Sequence, residues 1–417
     1  LFAQHNITID ASLQTETKSL LIEQQIEFVN TSDDVLDEIY FNDWANSFSS
    51  KTTALGKRFS ENYDNSFHFE KNRNRGNSNI LSISSGAKKP LEWARGKGVD
   101  ILRVRLDQPL APGGRYTLNF KYTVKQPNDK FTRYGTSKKN NYRLRYWYIS
   151  PAVYDGEWKA YSNKNLDDLY TRPSDFTISF HMPESYYLTS DFDIVSENKR
   201  EGIKTIVLEG KDRISADLYL EQALSFETIE TDKLAVLTNI SDRKMSGTTQ
   251  ELIIDRITHF LDLNLGPYPF KKLTISEVDY RSNPVYGLNQ LPNFISPFPN
   301  GFEYDMEELK TITRNYIQNT LQFHPREDYW LSQALQIYLM ITYVNQFYPN
   351  TKMIGSLSDL WIIKWAHGAE IEFNDQYSML YQNMARNNIN QKLTTPRDSL
   401  IKFNNNIANP YYGGQGL

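Results

Sequence analysis

Lys310 and Arg314 stand one helical turn apart in "ELKTITRNYIQNTLQFHPREDYWLSQALQIYL", the stretch from Glu308 to Leu339. The stretch has the layout of two helices joined by a short turn bearing Pro325 and several charges. Like charges at i and i+4 weaken an isolated helix by about 0.2–0.5 kcal/mol. This helix therefore tolerates two cations beside a mostly apolar stripe, or has a use for them. Other residues able to do chemistry are sparse. There is no Cys, which excludes disulfides, thiolate metal sites and a Cys nucleophile. The six His are His5, His68, His181, His259, His324 and His367, and none lies three or four residues from another. No helix face thus carries the paired imidazoles of a zinc site. "HPRE" offers His324 and Glu327, but a single His in a turn reads more plainly as a solvated turn residue than as a ligand.

The elements that must position these residues fall into two halves. The chain has 417 residues, 39% hydrophobic and 23% charged, enough for two or three domains with a large core. Aromatics reach 13%, with 27 Tyr and 22 Phe, which suits twisted sheets. "HNITIDASLQ" alternates, with Ile7, Ile9 and Ala11 on one face. "LLIEQQIEFVN", "YTLNFKYTV", "DFTISFHM" and "KTIVLEG" do likewise, between turn signals such as "APGG", "KQPND" and "MPES". This pattern predicts a β-sandwich. The polar segment 49–98 reads as long loops or hairpins. The pattern changes near Thr231. "TTQELIIDRITHFLDLNLG" places Leu252, Ile253, Ile257, Phe260 and Leu261 at helical spacing and stops at Gly266. "KKLTISEVDY" reads as a strand, and helical patterns follow over 305–323, 328–346 and 356–387. The expected architecture is an all-β sandwich over 1–228 followed by an α+β domain over 229–417.

The layout resembles the gluzincin zinc aminopeptidases of the aminopeptidase N and leukotriene hydrolase type. "YWYISPAVYDGEW" and "DLYTRPSDFTISFHMPESYYLTSDFDI" are similar to that family's sandwich strands. "GPYPFKKLTISEVDY" resembles its entry strand, "DYWLSQALQIYL" its D-W-W-L-N-E helix, and "NPYYGGQGL" its Y-E-K-G-A segment. The resemblance implies a thermolysin-like second domain, incomplete at Leu417. It also implies a site built on H-E-x-x-H, 18 residues and Glu. Matched through "DYWLSQ", the third-ligand position falls on Gln333, the two His positions on Lys310 and Arg314, and the general-base Glu on Thr311. The Glu that grips a substrate's amino group falls on Gln290 in "YGLNQLP". The oxyanion-stabilising Tyr is retained as Tyr411. Lys and Arg cations have no lone pair to give a metal, and an amide lacks the anionic charge.

The resemblance therefore implies a catalytically degenerate member, without metal or cofactor. Lys310 and Arg314 are expected to replace the charge of the missing zinc within a partly buried cluster. Glu277, Asp279, Glu307 and Glu308 are the candidate carboxylate partners. The expected function is a scaffold or partner-binding subunit of a cell-envelope assembly, outer-membrane or secretory. Two other readings stay open. One is an active metallo-aminopeptidase with a rearranged site. The other is a glycan- or peptide-binding module, suggested by the aromatics of "LRYWYISPAVYDGEW", although such residues more often build a core. The Asn, Lys and Tyr abundance is similar to that of Bacteroidota envelope proteins. The start, "LFAQ", reads as the end of a secretory leader, so export to the periplasm or cell surface is expected. A net charge of −4 gives no field for nucleic acid. No run of 18 apolar residues spans a membrane.

Overall fold

The computed structural model describes residues 4–285, 288, 297–365, 370–400 and 405–416. They form two compact units, Leu1–Ser225 and Phe226–Leu417. The first is rich in sheet and the second in helix.

Period-two alternation builds the first unit. Ile7, Ile9 and Ala11 are buried on one face of His5–Gln14 while Asn6, Thr8 and Asp10 face solvent. That strand pairs antiparallel with Ser19–Val29 and parallel with Ser174–Pro183. These three lie at the centre of a seven-stranded sheet. A four-stranded sheet contains Ser150–Pro151, Leu36–Asn42, Ile101–Leu110 and Trp93–Arg95 in that order. A second one includes Leu218–Glu221 and Tyr142–Leu144. One hydrophobic core joins side chains from all three sheets, among them Ile9, Phe41, Val104, Leu144 and Leu218. Within the aromatic run, Trp147 and Tyr148 are core, and the Trp147 indole donates to the Ala216 carbonyl at 2.7 Å. Tyr154 and Trp158 instead sit half-buried on a hairpin of Val153–Tyr154 and Trp158–Lys159.

The polar segment 49–98 is more ordered than its composition suggests. It holds helix α1 (Ala54–Glu61), capped by the Thr53 hydroxyl, and the strand Asn77–Ser85 at the edge of the large sheet. Leu55 and Phe59 of α1 pack with Phe67 and Phe131 in a small core of their own. Four apolar residues spread over 77 positions leave no local periodicity to read.

The second unit starts from a three-stranded sheet. Ala235–Thr238 runs antiparallel to Glu227–Glu230 and parallel to Lys272–Ile275. Helix α2 (Gly247–Leu265) begins at the Ser246 cap and ends at Gly266, whose φ of 84° suits glycine. Ile253, Ile257, Phe260 and Leu261 are buried, but Leu252 is exposed. The expected strand "KKLTISEVDY" stops at Ile275. The Ser276 hydroxyl accepts from the Asp279 N–H and starts helix α3 (Glu277–Ser282), so Glu277 and Asp279 are helical. Helices α4 (Phe302–Leu321) and α5 (Tyr329–Phe347) follow. The single helical pattern over 356–387 is broken into a 3-10 turn at Gly355–Asp359, α6 (Trp361–Trp365) and α7 (Gln376–Arg386). A capping box between Glu372 and Asp375 restarts the chain before α7. Helix α8 (Asn405–Gly416) is the last element described.

Candidate functional site

Helix α4 carries the residues that matter, and its packing is unusual for its sequence. From Tyr304 to Ile317 only Glu307 and Asn315 escape full burial. Helices buried on all sides are normally apolar all round. This one buries Asp305, Glu308, Lys310, Thr311, Thr313 and Arg314. Each buried ionisable group needs a partner or a shifted pKa.

Lys310 is 3% exposed. Its Nζ donates to the Pro284 carbonyl at 2.7 Å and to Asn283 Oδ1 at 3.2 Å, just past the end of α3. It also lies 5.8 Å from the centroid of the Tyr411 ring. These acceptors are neutral oxygens, not the carboxylates expected from sequence. Burial, and secondarily the positive charge of Arg314, pulls the ammonium pKa down to about 7. Arg314, at 9% exposed, is buried on the same helix one turn on.

Three of the four expected carboxylates, Glu277, Asp279 and Glu308, make contacts of their own. Glu277 pairs with Arg281 one turn on along α3. The Asp279 carboxylate accepts from the Ser276 hydroxyl at 2.6 Å. Glu308 accepts from Thr238 Oγ1 at 3.1 Å, on the strand Ala235–Thr238. Burial raises its pKa to about 8, so it is mostly protonated at neutral pH. Thr311, at the general-base position, donates its hydroxyl to the Glu307 carbonyl at 2.8 Å, a bond back along its own helix.

Gln333 is half-buried in the second turn of α5. Its neighbour Gln336, which sequence reasoning missed, fixes α5 to α4 by donating to the Lys310 carbonyl at 2.6 Å. Tyr411 reaches the site because α8 lies almost against the backbone of α5. A Cβ at Gly414 would meet Ile337 Cβ at 2.5 Å and the Ala334 carbonyl at 2.8 Å, and one at Gly413 would meet Ala334 Cβ at 3.0 Å. The "GG" pair was the available signal for this approach. Tyr411 is 4% exposed and edge-on to Tyr377 at 5.1 Å. The structure thus brings Lys310 and Tyr411 together. Gln290 lies outside the described residues. His324 is a turn residue whose Nδ1 accepts from the Arg326 and Glu327 N–H groups.

A second buried network, not foreseen, occupies the start of α4. Asp305 pairs with Arg256 of α2 and accepts from the hydroxyls of Tyr343 at 2.8 Å and Tyr348 at 2.7 Å. It joins α2, α4 and α5 and is fully shielded at Asp305.

No protein-family profile matches this sequence, and no curated protein sequence matches it. Solved structures do match its fold. A glutamate-to-alanine variant of the M1 zinc metallopeptidase of Deinococcus radiodurans, bound to a Tyr-Ser-Ala substrate, superposes with a TM-score of 0.55. The match covers 98% of this chain and 80% of that one at 11% identity. The M1 zinc metallopeptidase of the same organism without that substitution gives 0.52 and 11% identity, over 97% of this chain and 78% of that one. The fold is that of the M1 zinc metallopeptidases. At such identity the likeness carries the fold and nothing about activity.

The residues that the sequence resemblance matches to the zinc ligands are poor donors for a metal ion. Among the described residues no group of three or more His, Asp or Glu side chains is placed to hold a metal ion. At the positions matched to the two His, the side chains are a lysine committed to a carbonyl oxygen and a guanidinium with no lone pair to donate. A charge at 4 Å in a partly buried setting repels a like unit charge by about 4 kcal/mol, and a dication by about twice that.

Proposed function

We propose that this chain is a non-catalytic protein on the M1 metallopeptidase fold, acting as a scaffold or partner-binding subunit. The observation that carries the reading is Lys310. It stands where the resemblance puts the first zinc ligand, and it is buried and bonded to Pro284 and Asn283. Thr311, at the position of the general base, has no acid–base capacity near neutral pH and spends its proton on the Glu307 carbonyl. Tyr411 is retained beside Lys310, but a hydroxyl that steadies an oxyanion does nothing without a nucleophile to create one. The partners we propose are protein subunits of a cell-envelope assembly, a reading motivated by composition alone.

Turnover of aminoacyl chromogenic substrates by the purified protein, with and without added zinc, tests the proposal. We expect background rates in both. Zinc-dependent turnover abolished by a chelator would overturn it in favour of an aminopeptidase with a rearranged site. Gentle affinity purification from the native envelope then tests the scaffold role. Recovery of the chain free of any stoichiometric protein partner would contradict that part.

A further inference from the structure

The seven-stranded sheet of the first unit ends on one side in a strand that adds nothing to the core. Asp193–Arg200 pairs antiparallel with Ile203–Arg213, and among the described residues no strand pairs with its other edge. All eight of its residues are exposed, Ile194 and Val195 at 54% and 55%. A sheet edge left open presents N–H and C=O groups to any strand that can match them. Natural edges are commonly blunted by charges that repel a second copy. Here the charges alternate in sign, with Glu197 and Lys199 two positions apart on one face and 3.3 Å from each other.

The hairpin turn fixes which backbone groups face outward. Glu201 and Gly202 have φ of 52° and 79°, the paired positive values of a two-residue type I′ turn. Arg200 and Ile203 therefore close the hairpin as a hydrogen-bonded pair, and Asn198–Thr205 and Ser196–Val207 follow as the next bonded pairs. On its other side Ile203 lies opposite Pro183, which has no N–H to give, in agreement with that phase. Glu197 and Lys199 fall in the alternate pairs, with Ile206 and Lys204, so their N–H and C=O groups point to the open edge.

An added strand must bond to Glu197 and Lys199. A second copy pairing antiparallel about a two-fold axis matches these outward groups when the axis passes through Glu197, Asn198 or Lys199. Centring on Glu197 sets that carboxylate against itself, and centring on Lys199 does the same for the ammonium. Like charges directly opposite are destabilising. Centring on Asn198 sets Glu197 of each copy against Lys199 of the other, with backbone bonds exchanged at both pairs. Within the chain Lys199 also lies directly opposite Lys204, so a carboxylate from the second copy offsets a like-charge pair that the fold already contains. The one register that satisfies the backbone is thus also the one in which the strand's own charges are complementary.

We propose that Asp193–Arg200 is a self-association edge, on which a second copy of this chain pairs antiparallel, with Asn198 at the two-fold axis, and continues the sheet. A short strand edge is small against the roughly 1,200–2,000 Å² of a stable interface, so the dimer is weak and reversible. The surface lies wholly within the first unit and stands whether or not the second unit is catalytic.

Sedimentation velocity of the full chain, from about 1 µM to about 0.5 mM, tests the proposal. A reversible monomer–dimer equilibrium should be evident by about 0.1 mM. Glu197→Lys sets Lys against Lys at both pairs, and Lys199→Glu sets Glu against Glu. Each should weaken association by about tenfold or more. The double variant, Glu197→Lys with Lys199→Glu, restores opposite charges and should return to the parent's affinity, a recovery that a merely damaged hairpin would not give. Both positions are exposed, so melting temperatures should stay near that of the parent. A monomer at every concentration would overturn the proposal. So would a dimer that keeps its affinity in both single variants, or a double variant as weak as the singles.

Discussion

Replacing Lys310 with Met probes the buried amine directly. The folded protein holds Lys310 near pKa 7, against 10.5 for a free lysine, because burial and Arg314 both disfavour its charge. Each pKa unit corresponds to about 1.4 kcal/mol. The sign follows from proton counting. Between pH 7 and 10.5 the unfolded chain binds the proton that the folded chain releases, so stability rises with pH across that window. At pH 7 and below, the folded state carries a penalty of roughly 4–5 kcal/mol from this residue. Methionine fills much the same volume and has no charge to desolvate, but it leaves the Pro284 carbonyl without its donor. That loss costs about 1–3 kcal/mol. The variant should therefore be more stable than the parent by about 2 kcal/mol at pH 7 and less stable above pH 10.5, with a change of sign between. Urea denaturation of both proteins at half-unit steps from pH 6 to 11 gives the difference directly. Parallel stability curves across this window would refute the placement of Lys310 as a buried, deprotonation-prone amine.

Glu308 gives a limb of opposite slope. Its pKa of about 8 lies above the free value of 4.5, so stability should fall as pH rises through that interval. Glu308→Gln should flatten that limb, recovering up to roughly 5 kcal/mol above pH 8, as read by urea melts. Arg256→Ala strands the buried Asp305 carboxylate, and a loss of about 3 kcal/mol is expected from chemical denaturation. A change under 1 kcal/mol would mean that the Tyr343 and Tyr348 hydroxyls satisfy Asp305 alone. Gly414→Ala places a methyl 2.5 Å from Ile337 Cβ and should cost about 1–3 kcal/mol by pushing α8 away from α5, visible as a lowered melting temperature.

Periodicity made most of the frame legible. Ile7, Ile9 and Ala11 mark a strand because one face of a sheet is buried, and the two-helix reading of 305–346 follows from the same logic at period 3.6. Helix α1 leaves no periodic signal in the sequence, because its apolar residues complete a core with Phe67 and Phe131, further along the chain. Helix α3 continues the alternating pattern of the strand before it, because the Ser276 cap, not the hydrophobic pattern, ends that strand. At the site, the spacing of Lys310 and Arg314 placed both on one face of α4. The partners of Lys310 could not be read, since they sit 26 and 27 residues away in the segment after α3 and are neutral oxygens that no charge pattern marks. Leu252 shows the limit of period alone. It keeps helical spacing with Ile253 and Ile257 yet faces solvent, because the face is chosen by what the helix packs on.

The central claim is that the M1 fold here holds no catalytic metal. Equilibrium dialysis of the native chain against zinc, followed by elemental analysis and peptide hydrolysis on the same sample, addresses it most directly. The account predicts zinc well below one equivalent per chain, unchanged in Lys310→Met, and hydrolysis at background. About one tightly held zinc per chain, with turnover that appears on loading and vanishes with a chelator, would contradict it.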